Sequence, residues 1–491
     1  MSLTKKVAHN TLIQIASKLV STALGLLAAA LITRYLGPAG FGEYTTVITF
    51  LTFFAVAADF GLTLVTVQMI SGHPTDENRI LNNLFSLRLV SSLALLILAP
   101  LIIWFFPYSP AVKLGVIISF VSFLFPALNQ IFVGLFQRKL SMSRDAVAEM
   151  LSRIILIGGV ILTRQLDGGL NGILLATVAS AFTSFAGHYF LARKFVVIRW
   201  AFDPLIWRQI FDKAWPLAIT IVLNLIYLRA DTLLLSLFKS TDEVGLYGAT
   251  YRVIDVLTTI PFMFAGLILP IMTTAWLDRN PEYFKKVLQK SFDFMAMLAI
   301  PLVIGTQFLG RPIMIFAAGD DFAPAGRILQ ILIYAVAAIF LGTIFSHAVI
   351  ALEKQRTMIL FYAIASFSAL LAYLLLIPIF SYFGAAAVTI YSETIIAIFS
   401  GYCVYKYSGF RPNFRITLKS TFSAAVMGLF LYFFSPAYQN TLVRLLFIMA
   451  AASLVYFLAM LLCGGIKRRD LAVIFQKNMA SGEPTYDGPK L

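Results

Sequence analysis

Ten ionisable side chains lie inside stretches of sequence that are otherwise apolar. The five cations are Lys18, Arg88, Arg153, Arg229 and Arg252, and the five acids are Asp59, Glu149, Asp231, Asp255 and Glu393. An ionised side chain in the middle of a bilayer costs about 2.5–3.5 kcal/mol, so such residues usually face water or a partner of opposite charge. The cations are suited to binding a phosphorylated ligand, and the acids to binding a cation or neutralising a base.

Spacing along the chain separates the charges that can pair locally from those that cannot. Glu149 and Arg153 are four residues apart, so the two side chains share one helix face. Arg252 and Asp255 are three apart and are predicted to share a face in the same way. Arg88 lies near the start of its apolar run and can extend its head group to the membrane surface. Pairing or extension to the surface is therefore the structural alternative to a binding role.

Three of the charges have no such local explanation. Arg229 and Asp231 are two residues apart and point in different directions, so each needs a partner on another helix or in water. Lys18 has no acidic neighbour on its own helix. We therefore expect Lys18 and Arg229, together with Arg153, to line a central water-filled cavity. Asp59, Asp255 and Glu393 are the candidates for binding a coupling cation.

Composition identifies the class of protein in which these charges lie. The 491-residue chain is 60% hydrophobic and 12% charged, with a mean hydropathy of +0.87. Soluble domains carry about 25% charged residues, so a polytopic membrane protein is predicted. The formal charge of +15 comes largely from Lys and Arg in short connections. The positive-inside rule explains that placement better than binding to nucleic acid.

The apolar runs predict an all-α fold of about fourteen transmembrane helices, given that about 20 residues cross a bilayer. The bias of the loop cations predicts that both termini are cytoplasmic. The predicted units are a six-helix lobe (1–193), a cytoplasmic connection with an interfacial helix (194–213), a second six-helix lobe (214–406), two further helices (407–465) and a cytoplasmic tail (466–491). The lobes are predicted to be pseudo-symmetric around the cavity, because Phe41-Gly-Glu-Tyr44 and Val244-Gly-Leu-Tyr247 lie at an offset of 203 residues.

The turn after the first run carries a family resemblance. Arg34 to Tyr44 reads R-Y-L-G-P-A-G-F-G-E-Y, and Gly37-Pro38 is typical of a tight turn. This turn resembles the start of the O-antigen and exopolysaccharide flippases in the multidrug/oligosaccharidyl-lipid/polysaccharide exporter superfamily. The resemblance implies transport of undecaprenyl-pyrophosphate-linked repeat units from the inner to the outer leaflet by alternating access.

The resemblance implies the class of cargo and the partners, and side-chain chemistry then gives candidate contacts. Cations suit a pyrophosphate, so the five cations are the candidates for binding it. The polar residues Asn129, Asn224, Tyr227 and Tyr251 are suited to hydrogen-bond or stack on sugars, although each is equally suited to contacts between helices. The expected setting is the bacterial inner membrane, with the protein acting as a monomer beside a polysaccharide polymerase and a chain-length regulator.

Two other functions are weighed against this one. A cation-coupled multidrug exporter of the same superfamily would favour a cavity dominated by carboxylates. A membrane polysaccharide polymerase or ligase would need a long outer loop for its catalytic residues, and the predicted outer connections are short. The sequence has no phosphate-binding loop and no metal-ligand spacing, so we predict neither enzymatic activity nor a cofactor. Transport is then expected to use an ion gradient or the substrate gradient.

Overall fold

The computed structural model describes residues 3–63, 65–66, 69, 77–434 and 441–465, and the regular secondary structure in this part of the chain is helical. The helices are α1 (Leu3–Asp59), α2 (Glu77–Ile102), α3 (Pro110–Arg138), α4 (Met142–Gln165), α5 (Gly169–Ala192), α6 (Pro204–Phe238), α7 (Thr241–Leu277), α8 (Pro281–Ala318), α9 (Ala325–Ala351), α10 (Gln355–Ser408), α11 (Arg415–Phe434) and α12 (Leu442–Leu462). The predicted tail, residues 466–491, lies outside the described residues.

Two of these helices are each broken once. Helix α1 breaks at Gly37 (φ 66°, ψ −179°), in the left-handed region that favours glycine, and Pro38 then starts the next segment. Helix α10 breaks at Ser381 (φ 52°, ψ −137°). We call the segments before and after these breaks α1a and α1b, and α10a and α10b. The described residues thus contain fourteen helical segments of two turns or more, which confirms the predicted fold class.

Length and composition agree with that number. Eleven helices in the described residues are long and apolar enough to cross a membrane, and the bent pair in α6 brings the number to twelve. Two of the eleven, Val20–Asp59 and Gln355–Ser408, contain the breaks at Gly37 and Ser381, so each holds two segments. The chain is a multi-pass membrane protein.

Consecutive helices run in opposite directions, which gives the bundle two ends. The near end holds the start of α1 and the connections 139–141, 193–203, 278–280, 352–354 and 409–414. The far end holds Gly37, Ser381 and the connections 166–168, 239–240 and 319–324. Side chains join connections at each end: Arg34 donates to the Phe316 carbonyl at 2.6 Å at the far end, and Gln289 donates to the Asn413 carbonyl at 2.9 Å at the near end.

The two lobes touch at the far end through a reciprocal pair of glycines. A Cβ added to Gly42 on α1b would lie 1.7 Å from the carbonyl oxygen of Thr241, and one added to Gly245 on α7 would lie 2.0 Å from that of Pro38. Adding 203 to Pro38 and Gly42 gives Thr241 and Gly245. Adding the offset to the residues of one contact therefore gives the residues of the other, as a two-fold relation between the lobes requires.

The connection between the lobes is helical only in its second part, where residues 204–213 form the start of α6 rather than a separate helix. Residues 196–203 are irregular, and α6 begins at Pro204. The Asp203 carboxylate accepts hydrogen bonds from the backbone N–H groups of Leu205 (3.0 Å) and Ile206 (3.4 Å). An N-cap aspartate followed by proline starts a helix efficiently, so the predicted interfacial segment is divided between an irregular stretch and the first turns of α6.

The last two helices pack on the second lobe. Residues of α11 and α12 form one cluster with Leu309 of α8: Met427, Leu431, Leu445, Ile448 and Ala452. The Tyr456 hydroxyl donates to the Met297 carbonyl at 2.9 Å, which also fixes α12 against α8. The two helices thus lie outside the pair of lobes.

Candidate functional site

A cavity of about 240 Å³ lies between the lobes. Helices α1a, α1b and α4 line it from the first lobe, and α7 lines it from the second. We call it the central cavity. Its polar and charged lining consists of Lys18, Ser21, Thr22, Tyr44, Arg153, Arg252, Asp255 and Thr259, and Gly25 lines it through its backbone. Three of the five predicted cations are therefore together in one cavity.

Arg153 is held in place by neighbours from two helices. Its Nη2 donates to Glu149 Oε1 at 2.9 Å, and its Nε donates to the Ser21 hydroxyl at 3.4 Å. A Cβ added to Gly25 would lie 3.8 Å from Arg153 Nη1, so the guanidinium lies against the backbone of α1a. Both charged side chains stay about one-third exposed, so this ion pair is in contact with the cavity rather than sealed in protein.

Asp255 pairs across helices rather than along its own helix. Arg229 Nη2 on α6 donates to Asp255 Oδ1 on α7 at 3.0 Å, and the guanidinium lies 5.4 Å from the centre of the Tyr251 ring. The predicted pairing of Arg252 with Asp255 is therefore replaced by a pair between two helices. Within the described residues, neither Arg252 nor Lys18 has an ion-pair or hydrogen-bond partner.

The charges around the central cavity do not cancel. Lys18, Arg153, Arg229 and Arg252 are set against Glu149 and Asp255, so positive groups exceed negative groups by two. Because the surrounding helices are apolar, this excess is poorly screened and favours an anionic ligand.

A second cavity of about 1100 Å³ lies within the second lobe, and we call it the C-lobe cavity. Helices α6, α7, α9 and α10 line it, and Lys213 and Arg356 place its mouth at the near end. Asp255 lines both cavities, so the two meet at the Arg229–Asp255 ion pair. Its other polar lining includes Asn224, Tyr227, Tyr251, Thr258, Tyr362, Thr389 and Glu393.

The two other acids predicted for the site in this lobe, Asp231 and Glu393, differ in their hydrogen bonding. Asp231 is fully buried and accepts hydrogen bonds from the Thr232 N–H (2.6 Å), the Tyr247 hydroxyl (2.8 Å) and the Tyr251 hydroxyl. Glu393 is 7% exposed and lines the C-lobe cavity, and its carboxylate has no hydrogen-bond or ion-pair partner in the described part of the chain.

Several predicted site residues lie away from both cavities. Arg88 is 2% exposed and pairs with Asp59, with Thr63 as a further acceptor at 3.0 Å. Packing between α1b and α2 thus buries Arg88, which neither extends to the surface nor lines either cavity. Asn129 donates to the Ser184 hydroxyl at 3.1 Å and joins α3 to α5. The cavity role of Arg88 and the sugar contact of Asn129 are corrected accordingly.

The prediction from sequence missed the small residues of the central cavity. Ser21, Thr22 and Gly25 follow Lys18 at intervals of three, four and seven residues. That spacing places all four on one face of a helix, so a search for small residues three, four or seven positions from Lys18 would have found them.

Two family models match parts of this chain. The model of the family described as polysaccharide biosynthesis protein matches residues 7–276, and the MatE model matches residues 216–374. The capsular polysaccharide biosynthesis protein CapF of Staphylococcus aureus is 22% identical over 286 residues, which are 58% of this chain and 72% of CapF. The succinoglycan biosynthesis transport protein ExoT of Rhizobium meliloti (strain 1021) is 22% identical over 336 residues, which are 67% of this chain and 66% of ExoT.

A solved structure has the same fold. The lipid II flippase MurJ in its inward closed conformation aligns with a TM-score of 0.76 and 16% identity. The alignment covers 95% of this chain and 99% of MurJ. At this identity the likeness concerns the fold, and it extends over nearly every helix described above.

Proposed function

Because the chain belongs to the polysaccharide biosynthesis protein family, whose model matches more than half of it, we propose that it is a flippase for lipid-linked oligosaccharides. Its cargo is an undecaprenyl-pyrophosphate-linked repeat unit, which it moves from the inner to the outer leaflet for surface polysaccharide synthesis. The observation that carries this proposal is the excess of cations in a cavity to which both lobes contribute.

The chemistry of the lining suits a pyrophosphate. Arginine presents a planar fork of donors that matches phosphate oxygens in pairs, and lysine acts as a compact charge. Lys18 and Arg252 have no competing carboxylate in the described residues, so they are available to an incoming anion. Arg153 and Arg229 are already oriented by Glu149 and Asp255 and need little reorganisation to bind.

The contacts between the lobes support alternating access. The lobes touch through Gly42 and Gly245 at the far end, whereas the C-lobe cavity has its mouth at the near end. We assign the near end to the cytoplasm of a bacterium, with both termini there and the far end outside the inner membrane. One chain holds both lobes and acts as a monomer, and a polysaccharide polymerase and a chain-length regulator act on its product.

A cation-coupled multidrug exporter is the second candidate, and one observation favours it. The MatE model matches 216–374, the part of the chain that contains most of the C-lobe cavity. The excess of cations in the central cavity argues against a cationic drug, because like charges repel where screening is weak.

The test is transport by the purified chain in proteoliposomes. The probe is polyprenyl-pyrophosphate carrying a fluorescent neutral trisaccharide, and the measurement is the rate at which the label reaches the opposite leaflet. Loss of one charge-assisted hydrogen bond costs about 1.5–3 kcal/mol, so Lys18→Ala and Arg252→Ala should each slow transport by roughly tenfold or more.

Conservative and surface variants serve as controls. Lys18→Arg and Arg252→Lys keep the charge and should retain part of the rate. Lys286→Ala removes an exposed cation at the start of α8, away from both cavities, and should transport at the wild-type rate. Equal rates for Lys18→Ala, Arg252→Ala and Lys286→Ala would contradict the cationic binding site.

A further inference from the structure

The central cavity is too small to hold the whole headgroup of the proposed cargo. Pockets for small ligands usually measure about 300–1,000 Å³, whereas the central cavity measures about 240 Å³. The C-lobe cavity, at about 1100 Å³, lies directly beside it and shares Asp255 with it. A headgroup with its phosphates at Arg252 therefore has room for its sugars only in the adjoining space.

The walls of the C-lobe cavity have the features that a sugar ring needs. Tyr227 and Tyr362 stack with ring centres 6.2 Å apart and planes 8° apart, which gives the cavity an aromatic wall. Asn224 contributes a side-chain oxygen that is buried and has no hydrogen-bond partner in the described residues. Aromatic surface covers the apolar side of a sugar ring, and an amide or carboxylate oxygen accepts hydrogen bonds from its hydroxyl groups.

Glu393, which lines the same cavity, restricts the charge of the ligand that can bind there. Its carboxylate is nine-tenths buried, lines the cavity and lacks a partner among the described residues. The cations that line the same cavity are Lys213 and Arg356 at the mouth and Arg229, which Asp255 already neutralises. A buried carboxyl group without a partner is costly to ionise. The hydroxyl groups of a neutral sugar stabilise its carboxylate form by donating hydrogen bonds, whereas the carboxylate of a uronic acid at the same position opposes that ionisation.

We infer that the C-lobe cavity is the sugar compartment of the transporter and that Glu393 determines its specificity. Glu393 accepts hydrogen bonds from the hydroxyl groups of a neutral sugar and excludes a uronic acid from the same position, while Asn224 and the stacked tyrosines hold the ring. This inference rests on the proposed function and divides the cargo between two sites. The phosphates bind at the central cavity and the sugars bind in the C-lobe cavity, with the Arg229–Asp255 ion pair between them.

Transport of two matched probes by the full chain in proteoliposomes tests this division. The first probe is polyprenyl-pyrophosphate with a neutral trisaccharide, and in the second a uronic acid replaces one hexose. We expect the wild type to move the neutral probe at least about tenfold faster, the effect of one charge-assisted hydrogen bond. Glu393→Gln should bring the two rates within about threefold of each other, because glutamine keeps the shape and removes the charge. Asn224→Ala should slow both probes and leave their ratio unchanged.

Controls separate a sugar site from other roles of the same residue. Glu282→Gln removes an exposed acid of α8 and should keep the wild-type ratio. Arg252→Ala should slow both probes equally, because both carry the pyrophosphate. An unchanged ratio in Glu393→Gln overturns the inference, and so does an equal slowing of both probes in that variant, which would mark Glu393 as a coupling or structural residue. A wild type that moves neither probe overturns the proposed function and this inference together.

Discussion

The contact between Gly42 and Gly245 should control which end of the transporter is open. In the structure, a Cβ on Gly245 would lie 2.0 Å from the Pro38 carbonyl oxygen, and a Cβ on Gly42 would lie 1.7 Å from that of Thr241. Real Cβ atoms essentially never approach closer than 3.0 Å. Alanine at either position therefore requires the backbones of α1b and α7 to move apart by about 1 Å at the far end, since neither obstacle is a movable side chain.

The size of the effect follows from the cost of overpacking. Inserting a methyl group into a well-packed contact costs about 1–3 kcal/mol, and only the conformation in which the lobes touch at the far end bears this cost. The equilibrium should shift by about 5- to 150-fold towards conformations open at the far end. Because Gly42 and Gly245 belong to one contact, the double variant should shift the equilibrium by less than the product of the two single shifts.

Cysteine labelling measures this shift directly. Thr22→Cys places a thiol in the central cavity, in a background where Cys403 and Cys463 are replaced. A membrane-impermeant maleimide added at the far end should label it faster in Gly42→Ala and Gly245→Ala than in the parent. Transport should slow, because each cycle must close that end again.

Gly266→Ala is the matched control for this experiment. Gly266 lies on α7 with nothing within 4 Å of an added Cβ, so alanine there brings the same gain in helix propensity without the contact. Labelling rates in Gly245→Ala and Gly42→Ala that equal those of Gly266→Ala would refute the reasoning.

Two further predictions concern ion pairs outside the cavities. Arg88→Ala should destabilise the solubilised protein by about 3–5 kcal/mol, because it leaves Asp59 without its ion-pair partner. The double variant Arg88→Met/Asp59→Leu removes both charges and should destabilise the protein less. Thermal unfolding that finds the double variant less stable than Arg88→Ala contradicts a structural role for the pair. At the near end, the hydrogen bond from Arg79 lowers the pKa of Asp203 in the folded protein. The ionised Asp203 therefore stabilises the fold above the ordinary aspartate pKa of about 3.9, and this stabilisation is lost as the pH falls through the lower pKa of the folded state. The Tm difference between wild type and Asp203→Asn, which keeps the helix cap, should therefore shrink below about pH 4, and a difference independent of pH would rule the ion pair out.

The number of helices could be predicted from the sequence because lipid leaves the backbone few options. A spanning segment must satisfy its own hydrogen bonds, so each apolar run of sufficient length becomes a helix. The break at Gly37 was also readable, since a glycine followed by proline ends one helix and starts the next. The position of the break at Ser381 was also predicted, because an apolar run ends at residue 380 and the next begins at 384. Its geometry was not, because serine rarely adopts a positive φ and is held there by contacts such as its hydrogen bond to Glu243.

The candidate site could be predicted only where partners share a helix. Glu149 and Arg153 pair as their spacing predicts, because positions four apart always meet on a helix surface. Asp255 lies near two arginines, and because α6 packs against α7 it forms its ion pair with Arg229 rather than with Arg252. Helical periodicity carries no information about a neighbouring helix, so the burial of Arg88 was equally invisible in the sequence.

The division of the cavity cations into paired and unpaired residues bears on how cargo is released. Four unpaired cations in a weakly screened cavity would bind a pyrophosphate tightly and hold it. Here Glu149 and Asp255 stay within 3.0 Å of Arg153 and Arg229, so each arginine has a carboxylate to return to when the phosphate leaves. In the proposed mechanism Lys18 and Arg252 supply the net attraction for the phosphates, and they belong to opposite lobes. A ligand bridging the two would stabilise the lobes in proximity, and their separation would break the bridge. We therefore expect binding to be strongest when Lys18 and Arg252 face one cavity and to weaken as the lobes move, which couples release to the conformational change.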